Sequence, residues 1–372
     1  LRAVARSLLG ESKPFDTFAA LTGAAEEALR GALVLAMQDE SSARDNAAAG
    51  NISRGDVSFE AAPFVVIALG RLGTHEFDIG SDADIVFFTD ASANKDDINE
   101  WRRVAERFLH IAGSYTSDGL LLPLDTRLRP RGGEGEIVQS ASYLLDYFSR
   151  DAEGWEAATY LKARPVAGNV ALGEKILAEL RGILQRRFFG ATDNARELAR
   201  QLIHTRMRLE QERPEGASGF KTSAGGFFDI DYIVAHLKLS RGLLANDLRS
   251  APMKGIGAGP ELQGQLANCL AQIAFLESRG ALNGEQAGVL RDAANFYRSL
   301  DHAIRLVLGR PSAELPEPAQ IPRVAALLER WRVPVRGSLK EAVGTMRESV
   351  RGIYNAIIEG RKADSSSHGS SE

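Results

Sequence analysis

Two aspartates one residue apart, Asp82 and Asp84, stand where the polar turn Gly80-Ser81 passes into the apolar run Ile85-Val86-Phe87-Phe88. Side chains alternate along a strand, so both carboxylates point the same way, where together they could hold Mg²⁺. An Asp-x-Asp at a strand start is also a common solvated turn, and the choice between the two depends on what accompanies it. Downstream, Leu120 to Pro130 reads as another strand, with Asp125, Arg127 and Arg129 at every second position and so on one face. If that strand pairs beside the first, the three acids can bind two divalent ions. Arg127 and Arg129, whose planar forks suit phosphate oxygens, would steady a triphosphate. Such a set fits phosphoryl or nucleotidyl transfer.

Other residues invite weaker readings. Lys162 and Arg164 alternate in a segment broken by Pro165 and, if extended, face a phosphate or a protein substrate; two solvated cations are an equal alternative. Gly225-Gly226 before a helix could offer backbone N–H groups to an anion, with Lys221 adding charge and Asp229 lying in the first turn. Asp231 is turned roughly 200° from Asp229 around that helix, so the two do not serve one ion. Trp155 and Phe228 could stack on adenine, although core packing is the better account of both. Asp301-His302 reads as a plain pair on a helix surface, because no second metal cluster accompanies it.

The elements that must position the acids are legible in the hydrophobic pattern. Val65 to Leu69 and Ile85 to Phe88 read as two buried strands joined by a glycine-punctuated turn. Asn99 to Tyr115 carries Trp101, Val104, Phe108 and Ile111 on one helical face. Leu1 to Asp39 has helical period, and Ser41 to Asp56 is a polar connector. From Ser140 on, helical periods dominate: Val289, Ala293, Phe296, Leu300, Ile304 and Val307 advance by threes and fours, as do Val343, Met346, Val350, Ile353 and Ile357. The expected division is N-terminal helices and connector over 1–56, an α/β core over 57–138, a helical bundle over 139–362 and a Ser-rich disordered tail over 363–372.

The 372 residues, 44% hydrophobic and 25% charged, describe an ordinary globular chain of about two domains. A net charge of −4 argues against a general nucleic-acid binder. One cysteine, Cys269, allows no intrachain disulfide, and its neighbours Leu266, Leu270 and Ile273 suggest a packed core thiol. No apolar run approaches the roughly 20 residues needed to span a bilayer, so no membrane partner and a cytoplasmic location are expected. The first residue is Leu, which suggests that the chain begins inside a longer protein.

The spacing from Gly70 to Asp82 resembles the glycine turn and Asp-x-Asp strand of the DNA polymerase β-like nucleotidyltransferases. More narrowly, Gly70-Arg71-Leu72-Gly73, Glu76, Gly80-Ser81-Asp82-Ala83-Asp84 and Asp125-Thr126-Arg127-Leu128-Arg129-Pro130 resemble the bifunctional glutamine synthetase adenylyltransferase/adenylyl-removing family. Trp155-Glu156, Leu161 to Gly168 and Gly225 to Tyr232 agree with it, so the resemblance covers about Phe64 to Tyr232 in four ordered blocks. It implies an α+β fold: a small mixed sheet with flanking helices, followed by an all-α bundle. It also implies one of the family's two catalytic halves. Gly80-Ser81 and Asp229 look more like the C-terminal adenylylating half, whereas Leu161 to Pro165 is similar to the removing half.

By the same resemblance Asp82, Asp84 and Asp125 are metal ligands and catalytic, and Mg²⁺ is the cofactor. ATP contacts would come from Gly70, Arg71, Gly80, Ser81, Arg127, Arg129, Lys162, Arg164 and Asp229. The protein substrate would be a tyrosine of glutamine synthetase, with the PII signalling protein as a regulatory partner. Thr74 and His75 depart from the family's second glycine and its basic residue, and Asp231 and Tyr232 replace Glu and Phe. Thr74 puts the loop geometry in question, since glycine alone takes positive φ without penalty.

Overall fold

A computed structural model describes residues 1–47, 62–90, 93–116, 119–120, 122–211, 219–244 and 268–360. They fall into two compact units, one formed by Leu1–Arg187 and the other by Phe188–Leu243 with the chain from Cys269 onward.

The first unit is built on a small mixed sheet. Strand β1 (Phe64–Ala68) runs antiparallel to β2 (Ala83–Thr89), with Val66 opposite Phe87 and Ala68 opposite Ile85. Phe64–Ala68 and Ile85–Phe88 within them are β-branched and aromatic runs buried on both faces, which is why those stretches are continuously apolar rather than alternating. A two-stranded hairpin follows, β3 (Tyr115–Thr116) with β4 (Gly119–Leu120). Beyond it, β5 (Leu124–Asp125) and β6 (Val138–Ser140) both run parallel to β2 along its outer edge, β5 beside Ala83–Asp84 and β6 beside Phe87–Thr89. The opposite edge is closed by β7 (Arg164–Gly168), antiparallel to β1.

Strand β7 departs from the expected division, because the α/β architecture continues well past residue 138. Its segment, Arg164-Pro165-Val166-Ala167-Gly168, is too short and too interrupted by proline to show a clear period. Only its pairing to β1 makes it a strand.

Helices α1 (Arg2–Leu9) and α2 (Pro14–Ala47) precede the sheet. Helix α2 runs to Ala47, into the stretch read as connector; the rest of that connector lies outside the described residues, as does the Ser-rich tail. A single turn, α3 (Gly70–Gly73), follows β1. Helix α4 (Lys95–Ala112) starts at an Asn94–Asp97 capping box and buries Val104, Ala105 and Phe108. Leu29 and Leu33 of α2 and Val104 and Phe108 of α4 meet Phe64, Val66, Ile85 and Phe87 in one core on one face of the sheet. Helices α5 (Ala141–Arg150), α6 (Gly154–Tyr160) and α7 (Val170–Phe188) complete the unit. Helix α7 meets the sheet through Gly173, where a Cβ would lie 2.6 Å from Pro165 and 2.9 Å from Val65.

In the second unit the described regular elements are all helical: α8 (Thr192–Gln211), α9 (Phe227–Ser240), α10 (Cys269–Ser278), α11 (Gly284–Leu308), α12 (Ile321–Arg330) and α13 (Leu339–Ile357). The apolar periods of the last long helices point inward as expected. Ala293, Phe296, Leu300 and Ile304 are buried on α11, and Val343 and Val350 on α13. Cys269 is a buried thiol. Asp301 and His302, expected on a helix surface, are buried instead, because α11 is enclosed on several sides. Asp301 accepts a 3.0 Å bond from Arg305 Nε, and His302 stacks on Trp331 at 5.2 Å. Among the described residues no helix is long and apolar enough to cross a membrane.

Candidate active site

Two of the three acids lie on adjacent strands. Asp84 on β2 stands opposite Asp125 on β5, and partners across a parallel pair project to the same face. Asp82 precedes β2 by one residue and is solvent-exposed. The approach of β5 is held by Ala83 N–H donating to Pro123 O at 2.7 Å, and that of the turn before β2 by Leu69 N–H donating to Asp84 O at 2.8 Å.

Gly70 explains the glycine turn. Its φ is +52°, and a Cβ there would stand 2.0 Å from Asp84 Oδ2 and 3.0 Å from its Cγ. The Asp84 carboxylate therefore lies directly over the Gly70 backbone, in space that any side chain would occupy. Thr74 creates none of the turn strain expected of it. Its φ is −93°, its hydroxyl lies 3.3 Å from the Gly70 and Arg71 carbonyls, and the left-handed position falls on His75, at φ 56°. Ser81 is buried beside Asp82, and its Oγ has no hydrogen-bond partner among the described residues. A buried hydroxyl is costly in that state, so this one is poised for an external acceptor or donor.

Asp125 is gripped by Arg127. Arg127 Nε donates to both carboxylate oxygens at 3.0 Å, Nη2 donates to Oδ2 at 2.6 Å, and the Arg127 backbone N–H donates to Oδ1 at 2.8 Å. This fork holds the Asp125 carboxyl below its ordinary range. The backbone bond also turns the chain, so the strand expected from Leu120 to Pro130 stops at Asp125, and Leu121 lies outside the described residues. The period-two face is consequently broken. Arg129 folds into its own loop, donating to Gly135 O at 2.7 Å, Gly133 O at 3.0 Å and Thr126 O at 2.9 Å.

The remaining candidates serve different surroundings. Arg71 donates to Glu76 O at 2.7 Å, pairs with Asp78 at 3.3 Å and lies 5.2 Å over the Phe18 ring, tying the glycine turn to α2. Gly80 takes a φ of 65° in the turn that delivers Ser81. Lys162 brings its backbone against α3, its carbonyl oxygen 2.1 Å from where a Gly73 Cβ would stand. Arg164 is not a solvated cation: it donates to Glu26 Oε1 at 2.6 Å and to Leu72 O at 3.0 Å, clamping the C-terminal end of α3 to α2 and β7. His75 sits 4.0 Å from the same Glu26, yet burial and the Arg164 charge depress its pKa to about 4. Glu26 was invisible as a site residue, since nothing in α2 marks it beyond an ordinary i,i+4 pair with Arg30.

In the second unit, Asp229 is fully buried and consumed by structural partners. It pairs with Arg206 at 2.5 Å and Arg351 at 3.1 Å, and accepts from Gly225 N–H at 2.7 Å. Gly226 N–H donates to Ser223 O, so these glycines do not hold amides open for an anion. Lys221 lies 6.0 Å over the Phe228 ring. Trp155 is half-buried, with its indole N–H on Glu153 at 2.9 Å.

The donor set of Asp82, Asp84 and Asp125 is hard oxygen, suited to Mg²⁺, which is commonly held by one or two carboxylates together with substrate phosphates. Among the described residues no three acids or imidazoles converge as a ready-made metal cluster. The site thus offers Asp84 over its glycine, Asp82 at its mouth and a third carboxylate already bound by an arginine.

The site is a carboxylate pair on parallel strands over a glycine turn. In sequence comparisons, residues 1–179 match the family model described as Glutamate-ammonia ligase adenylyltransferase, and residues 192–358 match that of GlnD PII-uridylyltransferase. Relatives bearing the name bifunctional glutamine synthetase adenylyltransferase/adenylyl-removing enzyme are 29% identical in each of three cases. The match spans 97% of this chain and 36% of the Stenotrophomonas maltophilia (strain K279a) protein, 85% and 29% for Streptomyces avermitilis, and 68% and 25% for Hahella chejuensis. The chain is thus similar to the glutamine synthetase adenylyltransferase family over residues 1–179, and it spans between a quarter and about a third of the length of these relatives.

Proposed function

We propose that this chain is the adenylylating half of such an enzyme, moving AMP from ATP to a tyrosine hydroxyl of glutamine synthetase. The observation that carries the reading is the register of Asp84 opposite Asp125 on parallel strands, with Gly70 emptied of side chain beneath Asp84. Asp82 and Asp84, joined by Asp125, would hold Mg²⁺, which when bound neutralises the triphosphate and raises the electrophilicity of its α-phosphorus. The tyrosine hydroxyl gives up its proton to solvent and its oxygen attacks that phosphorus in line, the phosphorus–bridging-oxygen bond breaks, and pyrophosphate leaves with the electron pair. Arg127 offsets the charge that develops on the phosphate oxygens, and the partnerless Ser81 hydroxyl donates to one of them. Arg71, Arg129 and Arg164 act at one remove, by fixing the loops that carry the acids. Asp229 has the same kind of role in the second unit, which we read as the helical bundle that follows the nucleotidyltransferase core.

Gly80-Ser81 before the acids favours the adenylylating half. The Leu161 to Pro165 segment supports a second reading, in which the same acids serve phosphorolysis of the AMP-tyrosine bond and release ADP. The match of residues 192–358 to a PII-uridylyltransferase model supports the PII signalling protein as a regulatory partner. The deciding experiment incubates the chain with glutamine synthetase, Mg²⁺ and α-labelled ATP, beside an Asp82→Ala/Asp84→Ala control. Label on glutamine synthetase with a blank control is expected. ADP formed only from pre-adenylylated enzyme and phosphate would transfer the assignment to the removing half, and silence in both assays would leave a binding module.

A further inference from the structure

Arg127 differs from every other arginine around the acids. Arg71, Arg129 and Arg164 each donate to backbone carbonyls that shape a loop, and none can leave without unmaking it. The Arg127 guanidinium, by contrast, has hydrogen bonds only to Asp125 among the described residues, and its side chain is 80% exposed against 15% for Asp125. One partner is fixed and the other is tethered by a single carboxylate.

That carboxylate is engaged on both oxygens. Oδ1 accepts from the Arg127 backbone N–H and Nε, and Oδ2 accepts from Nε and Nη2. A carboxylate offers about four lone-pair positions. Three N–H groups, the Nε–H shared between the two oxygens, occupy most of the positions a cation would take on Asp125, and a guanidinium at 3 Å repels a divalent ion by direct Coulomb interaction. Asp82 and Asp84 add their fields at the same guanidinium.

Resting on the nucleotidyltransferase reading above, we propose that Arg127 is an exchangeable counter-ion. It occupies Asp125 in the nucleotide-free protein and passes to the triphosphate when nucleotide arrives, releasing Asp125 as a metal ligand. The exchange is of like for like, since the planar fork that grips a carboxylate grips a phosphate equally well. Completion of the metal site is thereby coupled to the presence of the substrate that needs it. No bond is made or broken.

The test is Mn²⁺ binding to the full chain, followed by electron paramagnetic resonance with and without α,β-methylene-ATP, a probe that cannot donate AMP. Wild type is expected to bind Mn²⁺ weakly alone and more tightly, with a second ion, when the analogue is present. Arg127→Ala should strengthen Mn²⁺ binding without nucleotide by about fivefold, near the ceiling for one exposed ion pair. It should weaken binding of the analogue. Arg127→Lys, which keeps the charge and loses the fork, should fall between the two, and Asp125→Asn/Arg127→Ala should lose the gain. Equal nucleotide-free Mn²⁺ affinity in wild type, Arg127→Ala and Arg127→Lys would overturn the exchange while leaving nucleotide-dependent metal binding intact. No Mn²⁺ binding by wild type with or without the analogue would overturn the nucleotidyltransferase reading itself, and the exchange with it.

Discussion

Gly70→Ala tests the geometry of the site most directly, because it adds a single carbon at a known place. The new Cβ would stand 2.0 Å from Asp84 Oδ2, far inside van der Waals contact, on a backbone already at φ +52°. The backbone cost is about 1–2 kcal/mol, the penalty of a left-handed conformation for a residue with a Cβ. The clash itself is with the far end of a rotatable side chain, so the protein relieves it by swinging the Asp84 carboxylate away. Stability should therefore fall by little more than the backbone cost, a few degrees of Tm. Activity should fall much further: displacing a reacting group by about 1 Å can cost on the order of 10²-fold. Thermal melting and AMP transfer from labelled ATP measure the two effects separately. Asp84→Ala alone and Gly70→Ala/Asp84→Ala complete a cycle in which the clash is absent and the backbone penalty alone remains. Near-wild-type transfer by Gly70→Ala would sink the placement of Asp84 as a ligand over the turn.

Other consequences concern the parts that hold the site. Asp229→Ala strands Arg206, 1% exposed on its side chain, as a buried cation with one carboxylate lost, and should destabilise the second unit by about 3–5 kcal/mol in urea unfolding. A loss under 1 kcal/mol would show the pair to be dispensable. His75, with a folded pKa near 4 against an ordinary 6.5, binds its proton more readily in the unfolded chain. Stability should accordingly drop as pH falls from about 6.5 toward 4. His75→Gln should flatten that slope by an amount of order 2 kcal/mol, read from denaturant midpoints at pH 7 and pH 4.5. His236, depressed to about 4 by burial in the second unit, gives a slope of the same sign. The variant's difference, not the raw profile, is therefore the measurement, and an unchanged slope refutes the assignment.

The acids and their strands were legible because their cues are local. A glycine turn, an Asp-x-Asp and a run of branched and aromatic residues all lie within about twenty positions, and side-chain alternation alone puts Asp82 and Asp84 on one side. Long helices such as Gly284–Leu308 and Leu339–Ile357 announced themselves by repeating their period. Chain direction was misread where a side chain overruled the pattern: the period-two spacing of Asp125, Arg127 and Arg129 suggests a strand, yet the Asp125 carboxylate captures the Arg127 amide and bends the chain. Strand β7 was missed because five residues containing a proline carry too little periodicity to distinguish a strand from a loop.

What belonged to the amino-acid sequence by itself was the inventory of the candidate site: which carboxylates, near which strand, beside which glycines. What only tertiary structure decided was the partner of each charge. Arg164 was a candidate for phosphate until Glu26, 138 positions earlier, was brought against it, and Asp229 was one until Arg206 and Arg351 closed on it. A lone charge and a paired one are spelled with the same residue. Their difference is an approach of a few ångströms between distant segments, set by packing that no local pattern encodes.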